Sequence, residues 1–222
     1  MNFLNFKNYL YIMVNTFKKK SLNRILQEIY AKEKSVSGSV IEFGAEAGSS
    51  KNFTNFVKLK DIKKILYCDK FPKNKETIEE DLESKLSLES DLIDNIIIFN
   101  VLEHVFDNKN AFLEMNRCLK KNSGNIIGST PFMHRVHGAP GDYSRYTKQY
   151  FEKILYKTNF KNITVENLGF GAFTSAYAII FDYLKLIPFL NNIVLTFCLM
   201  LDKFISLIVK TKTKNIYPIA VC

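Results

Sequence analysis

The chain contains 222 residues, of which 47% are hydrophobic and 24% are charged, and this composition excludes a disordered protein. Its 31 Lys and Arg residues outnumber its 22 Asp and Glu residues, which gives a formal net charge of +9. Such an excess favours an anionic partner or, equally, a lysine-rich solvated surface. The sequence contains no CxxC pair, so we expect no zinc or other metal site, no disulfide scaffold and a reducing, cytoplasmic environment for its four cysteines, Cys68, Cys118, Cys198 and Cys222.

The N-terminal segment, residues 1–36, begins with an apolar and aromatic stretch that is followed by Lys18, Lys19 and Lys20. A secretory signal has its positive charges before the apolar stretch, so this order does not fit one. The pattern predicts one or two amphipathic helices. These helices either pack on the rest of the domain or form a lid or a membrane-surface helix.

Strand and helix patterns alternate between residues 37 and 168. Val40–Phe43 predicts a short strand, and Gly44 and Gly48 open the loop that follows it. The segment 94–105, DNIIIFNVLEHV, contains a continuous apolar run that indicates a strand buried on both faces. The other predicted elements are a helix over 53–59, a strand over 62–69, a short helix and a weak strand within 73–90, a helix over 111–119, a strand over 125–130, a helix over 147–157, and strands over 163–168 and 216–221.

This alternation predicts an α/β fold: a doubly wound, mostly parallel sheet of about seven strands with helices on both faces. Ligands of such sheets bind beyond the carboxyl ends of the strands. The glycine loop, Asp69 and the polar end of the segment 94–105 all follow predicted strands. We therefore expect the functional site at that edge of the sheet.

The segment 170–210 interrupts the alternation with a strongly apolar stretch. Pro188, Asn191 and Asn192 divide its longest uncharged run, so two or three helices with large apolar faces are predicted rather than a transmembrane helix. These faces contact either an anionic membrane or, as a lid or dimer face, other protein surface. The lysines that flank the stretch are Lys185, Lys203, Lys210, Lys212 and Lys214.

The order of these motifs resembles that of a known enzyme family. A glycine loop follows the first strand, an acid follows the second, and DNIIIFNVLEHV precedes AFLEMNRCLKKNSGNIIGSTPF. From about Val40 to Leu168, the chain resembles the class I S-adenosylmethionine-dependent methyltransferases of the methyltransferase-11-like kind. The resemblance implies a Rossmann-like methyltransferase core over 37–169 that binds S-adenosylmethionine. The N-terminal helical segment 1–36, the apolar helical insertion 170–210 and a last core strand within 211–222 then complete the chain.

The resemblance also assigns cofactor contacts to individual residues. Glu46 stands where the family's first motif has its middle glycine. Asp69 corresponds to the acid that binds the ribose hydroxyls, and Asp81 and Leu82 correspond to the adenine contacts. The residues that match the first motif are Glu42, Gly44 and Gly48, and those that match the opposite wall of the cofactor site are Asn100, Val101 and Leu102.

Glu103 and His104 come next, and we interpret them as structural residues, an exposed acid and a histidine that caps the next turn. The loop PFMHRVHGAPGDYSRYT, 131–147, is denser in hydrogen-bonding side chains than a plain connector. From His137 to Thr147 it resembles the H-x-x-P-x-D-Y-x-R-Y-T segment of a methyltransferase subgroup. The alternative is a rigid turn that an ion pair between Asp142 and Arg145 holds.

Methyl transfer to a hydroxyl requires a base. We expect His137 to be that base, with His134 as the alternative, because an imidazole titrates near neutral pH. The predicted acceptor contacts are a guanidinium that holds an anionic group and tyrosine rings that stack on a ring or a sugar. These contacts are Arg135, Asp142, Tyr143, Arg145 and Tyr146.

The predicted function is transfer of a methyl group to a small-molecule, glycan or lipid-linked acceptor, at oxygen. Glu46 motivates an alternative, a non-catalytic cofactor-binding or membrane-associated assembly protein on the same scaffold. An NAD-dependent or nucleotide-sugar enzyme is disfavoured because the GxGxxG fingerprint is incomplete. We expect a cytoplasmic protein that does not bind nucleic acid. Where the apolar segment contacts an anionic membrane rather than other protein surface, the protein is peripheral at the inner face of that membrane.

Overall fold

A computed structural model describes residues 5–138, 140–209 and 215–222, in two compact units. We call Tyr30–Thr130, His137–Val165 and Cys222 the sheet unit, and Met1–Ile29, Pro131–Val136 and Glu166–Val221 the helical unit. The helices are α1 Phe6–Phe17, α2 Leu22–Glu33, α3 Asn108–Cys118, α4 Lys148–Lys157, α5 Ala172–Leu184 and α6 Pro188–Ile208. The strands are β1 Ser35–Phe43, β2 Lys58–Asp69, β3 Ile78–Glu79, β4 Asn95–Phe99, β5 Asn125–Pro131, β6 Asn167–Leu168 and β7 Ala220–Val221.

Parallel pairing joins β3, β2, β1, β4 and β5 in that order, and β6 pairs with β7 in the antiparallel direction. The complete strand order is β3-β2-β1-β4-β5-β7-β6. All five residues of β4 are buried, as its β-branched run predicts. The predicted fold, a mostly parallel sheet of about seven strands in a Rossmann-like α/β arrangement, is confirmed. Its carboxyl edge carries the segments that follow β1, β2 and β4.

The helix predicted over 53–59 is wrong. Only a 3₁₀ turn forms there, over Phe53–Asn55, and β2 already begins at Lys58. The first residues of β2 pair with β1 from Ser35 onward, so sheet pairing overrides the helical spacing of the apolar side chains. The short helix predicted within 73–90 is also wrong, because that segment forms turns around β3.

The helical unit contains the predicted helices of both apolar segments. The expectation that Pro188, Asn191 and Asn192 interrupt the second segment is wrong, since all three lie in α6. Pro188 occupies the first turn, where a helix tolerates proline, and the side chains of both asparagines form hydrogen bonds. By length and composition α6 alone, among the described residues, meets the requirement for a membrane span.

The last two strands are shorter than predicted. The strand predicted over 163–168 contains only Asn167 and Leu168, and the one over 216–221 contains only Ala220 and Val221. Both pairs are fully buried, whereas most of their predicted extensions are more exposed and remain unpaired in the described chain. The predicted flanking lysines Lys210, Lys212 and Lys214 lie outside the described residues.

Candidate active site

Gly44 and Val101 bring the ends of β1 and β4 into contact. Gly44 has a φ of +69°, and a Cβ atom at this position would lie 2.3 Å from Cγ2 of Val101. Gly48 has a φ of +75°, and no atom lies within 4 Å of the place that its Cβ would occupy. Both positions therefore favour glycine, the first for conformation and space and the second for conformation alone. A loop of this form, with open space at Gly48, fits the close approach of a cofactor to the backbone.

The two carboxylates of this loop have different partners. Glu42 is buried, and its oxygens accept hydrogen bonds from the amides of Phe53 and Thr54 at 2.5 and 2.8 Å. Glu46 accepts from the Lys73 amide at 2.7 Å, from Asn74 Nδ2 at 2.8 Å and from Thr77 Oγ1 at 3.0 Å. Glu46 thus ties the glycine loop to the segment that precedes β3, and these hydrogen bonds offset the cost of a second carboxylate near Glu42.

The acids predicted to bind the adenosine lie at the ends of β2 and β3. Asp69 ends β2, and its Oδ1 accepts from the Phe71 amide at 2.8 Å. Asp81 follows β3 and forms an ion pair of 2.9 Å with Lys70, while the next residue, Leu82, is buried. Burial opposes ionisation of Asp81, but the Lys70 ammonium and the Glu83 amide together hold its pKa below the usual value. These positions fit a ribose and an adenine at the carboxyl edge, beside the glycine loop.

The segment directly after β4 contains side chains of types that take part in catalysis. Asn100 has a φ of +56°, and its amide donates to the Ser129 carbonyl at 2.8 Å. Residues Leu102–His104 then form a 3₁₀ turn. This turn buries Glu103 completely, so the expectation that Glu103 is an exposed acid is wrong. The turn directs its side chain into the sheet unit rather than toward solvent.

Glu103, His104 and His137 form a cluster at this edge. One donor atom from each of the three side chains lies within 4.8 Å of the others. The rings of His104 and His137 pack edge to face with centroids 4.9 Å apart, and His104 Nε2 lies 3.8 Å from Glu103 Oε1. The polar end of β4 and His137, treated separately in sequence, therefore meet in one site.

The Glu103 carboxyl group has no hydrogen-bond partner for either oxygen among the described residues. Burial raises its pKa to about 8, and the proximity of its own backbone amide and then of the Arg145 guanidinium opposes that rise only in part. An unpaired buried carboxylate is strongly disfavoured. Unexplained polar groups of this kind, with a perturbed pKa, are concentrated at functional sites.

Asp142 organises the 131–147 loop. Its carboxylate pairs with two nitrogens of Arg145, of which Nη2 lies 2.7 Å from Oδ2, and it accepts from the His137 amide at 2.9 Å. His137 Nδ1 lies 3.2 Å from the same Oδ2. The Arg145 guanidinium holds the pKa of Asp142 well below its usual range, so this carboxylate is ionised. The predicted turn with its Asp142–Arg145 ion pair therefore forms, and the same turn positions the histidine.

The two predicted tyrosine contacts differ in exposure. Tyr146 is buried, and its hydroxyl donates to the Leu102 carbonyl at 3.2 Å and bonds to the amide of Asn108. Tyr143 has half of its side chain exposed, and its ring lies edge to face against Phe106 at 5.6 Å. Tyr143 is therefore accessible to an acceptor, whereas Tyr146 supports the segment after β4.

His134 and Arg135 belong to the helical unit and line a cavity within it. Arg135 Nε lies 2.6 Å from Asp182 Oδ2. The cavity has a volume of about 250 Å³, and its other lining residues include Lys19, Met133, Phe181 and Lys185. The structure thus places the predicted acceptor residues in two groups, one in each unit.

Sequence reasoning set Glu103 and His104 aside; the signal that could have identified them was an acid and a histidine directly after a buried strand.

Comparison with known proteins relates this site to methyl transfer. Residues 49–127 match the family model described as "Methyltransferase domain". No curated protein matches the chain at a significant level. A methyltransferase from Archaeoglobus fulgidus, described as S-adenosylmethionine-dependent, is similar in structure, with a TM-score of 0.50, 15% identity, and coverage of 74% of this chain and 80% of that one.

Two further solved structures share the fold. A chain of the complex between the Haloferax volcanii Trm112 methyltransferase activator and a methyltransferase gives a TM-score of 0.52 at 12% identity, covering 75% of this chain and 84% of that one. The Haemonchus contortus enzyme phosphoethanolamine N-methyltransferase 2, in complex with phosphomonomethylethanolamine and S-adenosylhomocysteine, gives 0.50 at 13% identity, covering 81% of this chain and 49% of that one. These structures support the fold, and the family model supports the activity. The predicted enzyme, a methyltransferase, is confirmed, and S-adenosylmethionine is its predicted cofactor.

Proposed function

We propose that this methyltransferase transfers its methyl group to an oxygen atom of a lipid-linked or glycan acceptor at the surface of an anionic membrane. The observation that carries the proposal is the distribution of polar and apolar side chains in the helical unit. Its helices bury polar groups and expose large apolar side chains, the reverse of the pattern in a water-soluble protein.

Helix α6 has this reversed pattern along its whole length. Asn191 and Asp202 are buried, together with Leu195 and Leu199 on the same face. The exposed side chains on the rest of the helix are large and apolar: Phe189, Leu190, Ile193, Phe197, Met200, Phe204, Leu207 and Ile208. Soluble monomers rarely expose so large a continuous apolar surface.

Helices α1 and α5 continue the pattern, with polar contacts between helices. Thr16 of α1 is buried and donates to Asn192 at 2.8 Å, while Phe6, Leu10, Val14 and Phe17 are exposed. In α5, the buried Tyr177 hydroxyl donates to Asn191 at 2.7 Å, while Ile179, Ile180 and Tyr183 are exposed. Hydrogen bonds between helices with apolar residues outside are the arrangement that a hydrocarbon environment favours.

The lengths of the helices favour insertion into one leaflet. The 21 residues of α6 extend ~31 Å and the 13 residues of α5 only ~20 Å, against a hydrocarbon core of ~30 Å. Asp202, near the end of α6, bonds to the start of α5, so the two helices form an antiparallel hairpin. Because α5 is too short to cross the bilayer, the start of α5 and the end of α6 both remain on the side of the anionic headgroups. The exposed Lys203, near the end of α6, would then contact those headgroups, at the cytoplasmic face.

The chemistry belongs to the carboxyl edge of the sheet unit. S-adenosylmethionine supplies a methyl group on a positively charged sulfur, and the loop at Gly44 and Gly48, with Asp69, Asp81 and Asn100–Leu102, would hold it. The protein must align the acceptor oxygen with that methyl group and remove the hydroxyl proton. His137, held by Asp142, stands at this edge as the predicted base, and the half-exposed Tyr143 ring offers a stacking surface for a sugar.

Membrane binding can be tested by flotation of the full-length protein with phosphatidylcholine vesicles that contain phosphatidylglycerol. We expect the wild-type protein to float. Replacing Phe197 and Phe204, 60% and 61% exposed, with glutamine should weaken partitioning on the order of 100-fold, since each lost side chain removes at least ~1.4 kcal/mol of apolar transfer energy.

Leu59→Gln with Leu92→Gln is the matched control, because these leucines are exposed in the sheet unit and should not alter flotation. A wild-type protein that stays in solution as a dimer, and that the Phe197 and Phe204 changes convert to a monomer, would show instead that the apolar face joins two copies. The acceptor is identified with labelled methyl donor and separated lipid, glycan and water-soluble extracts. Label on nitrogen, or only in the water-soluble pool, contradicts the proposal.

A further inference from the structure

The cluster at the end of β4 has the composition of a metal site. Each of Glu103, His104 and His137 offers one donor atom, and the three atoms lie within 4.8 Å of one another. Two imidazoles and one carboxylate are the ligand set of many divalent first-row transition-metal sites with open positions. The sequence-based expectation of no metal site depended on cysteine spacing. That spacing has no bearing on a site formed by two imidazoles and a carboxylate.

The buried Glu103 carboxyl group is a second and independent observation. It is fully buried, and neither oxygen has a hydrogen-bond partner in the described part of the chain. A buried polar group without a partner costs about 1–3 kcal/mol, and a charged group costs more. A bound cation would give this carboxylate the partner that the protein does not supply.

Both histidines are oriented as metal ligands are. His104 Nδ1 is hydrogen-bonded to the Gly141 carbonyl oxygen, which can only accept, so Nδ1 carries the proton and the lone pair is on Nε2. His137 Nδ1 lies 3.2 Å from Asp142 Oδ2, a distance at which a protonated Nδ1 can donate to this carboxylate and leave Nε2 as the metal-binding atom. A ligating histidine typically donates its other N–H to a carbonyl or a carboxylate in this manner.

The surrounding charge also suits a dication. Asp142 is paired through two contacts with Arg145, so these two charges compensate each other. Imidazole ligates a metal in its neutral form, so this ligand set with an ionised Glu103 would carry one negative charge. A divalent cation therefore adds favourable electrostatic energy and meets no uncompensated positive group of this set.

We propose that Glu103, His104 and His137 bind a divalent first-row transition-metal ion. Three protein ligands leave at least one coordination position open, as in catalytic rather than structural sites. On the proposed function, the acceptor hydroxyl takes that position, and the metal lowers the pKa of the hydroxyl as it does that of water. Its proton passes to water, the new bond joins oxygen to methyl, and the methyl–sulfur bond breaks to leave a neutral thioether. The metal then replaces His137 as the means of activating the hydroxyl.

Metal binding is tested directly on the full-length protein after removal of metals with a chelator. Titration calorimetry with Zn²⁺ and the visible absorption of added Co²⁺ should both show one saturable site. Glu103→Gln and His137→Asn should each weaken metal binding on the order of 100-fold. This is the upper end of the loss typical for a residue that only positions a ligand, and loss of a ligand itself should cost at least as much. His134→Asn is the matched control and should bind the metal as the wild-type protein does.

Thermal unfolding distinguishes loss of the site from loss of the fold. Added Zn²⁺ should raise the Tm of the wild-type and His134→Asn proteins but not that of folded Glu103→Gln. The absence of saturable binding to folded wild-type protein, or equal loss in His134→Asn, overturns the metal site. If metal binds but the chelated enzyme transfers methyl groups at an unchanged rate, the role of the metal in acceptor activation is overturned. Metal binding without any oxygen-methylated product would instead contradict the proposed function.

Discussion

Two residues with left-handed backbone conformations shape the cofactor edge. Gly44 at the end of β1 and Asn100 at the end of β4 have φ values of +69° and +56°. Glycine adopts this region without strain, and asparagine is one of the few other residues that visit it readily. Backbone conformations of this kind are concentrated at functional sites. Here they direct both strands into the segments predicted to enclose S-adenosylmethionine.

We expect Gly44→Ala to lower the free energy of unfolding by about 1–3 kcal/mol and to weaken S-adenosylmethionine binding. Its Cβ atom would have an unfavourable φ and would lie 2.3 Å from Val101 Cγ2. Gly48→Ala is the matched control, with the same conformational strain but open space around the new atom. Urea unfolding and calorimetric titration measure the two effects. Because Gly48 is itself a predicted cofactor contact, it is a control for stability only, and equal losses of the free energy of unfolding for both variants would contradict the steric role of Val101.

At the scale of elements, α5 obtains its N-terminal cap from another helix. The residue before α5 is Gly171, which has no side chain to accept from the first free amides. Asp202 of α6 accepts instead from the amides of Phe173 and Thr174 at 3.0 and 2.8 Å, and from Thr174 Oγ1 at 2.7 Å. The negative charge also interacts favourably with the helix dipole. This buried acid therefore joins the two helices of the hairpin.

Asp202→Ala should destabilise the helical unit by on the order of 3 kcal/mol, because it removes charged hydrogen bonds and leaves buried amides without a partner. Ser206→Ala, an exposed position one turn later in the same helix, should change stability by less than about 0.5 kcal/mol. Circular dichroism during unfolding in detergent gives both values. A change for Asp202→Ala no larger than that for Ser206→Ala would show that the cap contributes nothing.

At the scale of the whole molecule, charge and apolar surface act together. In the proposed membrane association, the formal net charge of +9 would attract the chain to anionic surfaces, and the apolar faces of α1, α5 and α6 would provide the contact area. The first of these effects is screened by salt, and the second is not.

Raising the salt concentration from ~0.1 M to ~1 M shortens the screening length from ~10 Å to ~3 Å. We therefore expect flotation with vesicles containing phosphatidylglycerol to weaken but to persist at high salt. Flotation with pure phosphatidylcholine vesicles should be weaker and nearly independent of salt. Complete release from the anionic vesicles at high salt would show that lysine charges alone hold the protein there, without insertion of the apolar faces.

Much of the site edge follows from local sequence. The buried run of β4, the glycines after β1 and the acid after β2 are local patterns, and each lies where its pattern predicts. The helix over 53–59 was wrong because its apolar spacing is also compatible with the pairing of Lys58 and its neighbours with β1. Glu103 was wrongly expected to be exposed because its burial depends on a 3₁₀ turn that no local pattern indicates.

The sequence alone determined the class of fold and the order of the motifs, because periodicity and strand-end residues are written locally along the chain; the methyl donor is what the resemblance of those motifs to a known family implies. Only the tertiary structure decided that His104 meets His137 beside the buried Glu103, and that α6 buries Asn191 and Asp202 while exposing its phenylalanines. Both facts concern residues distant in sequence, whose contacts depend on how helices, turns and strands pack. An apolar stretch has the same composition whichever face it buries, so only packing identifies the side that remains exposed.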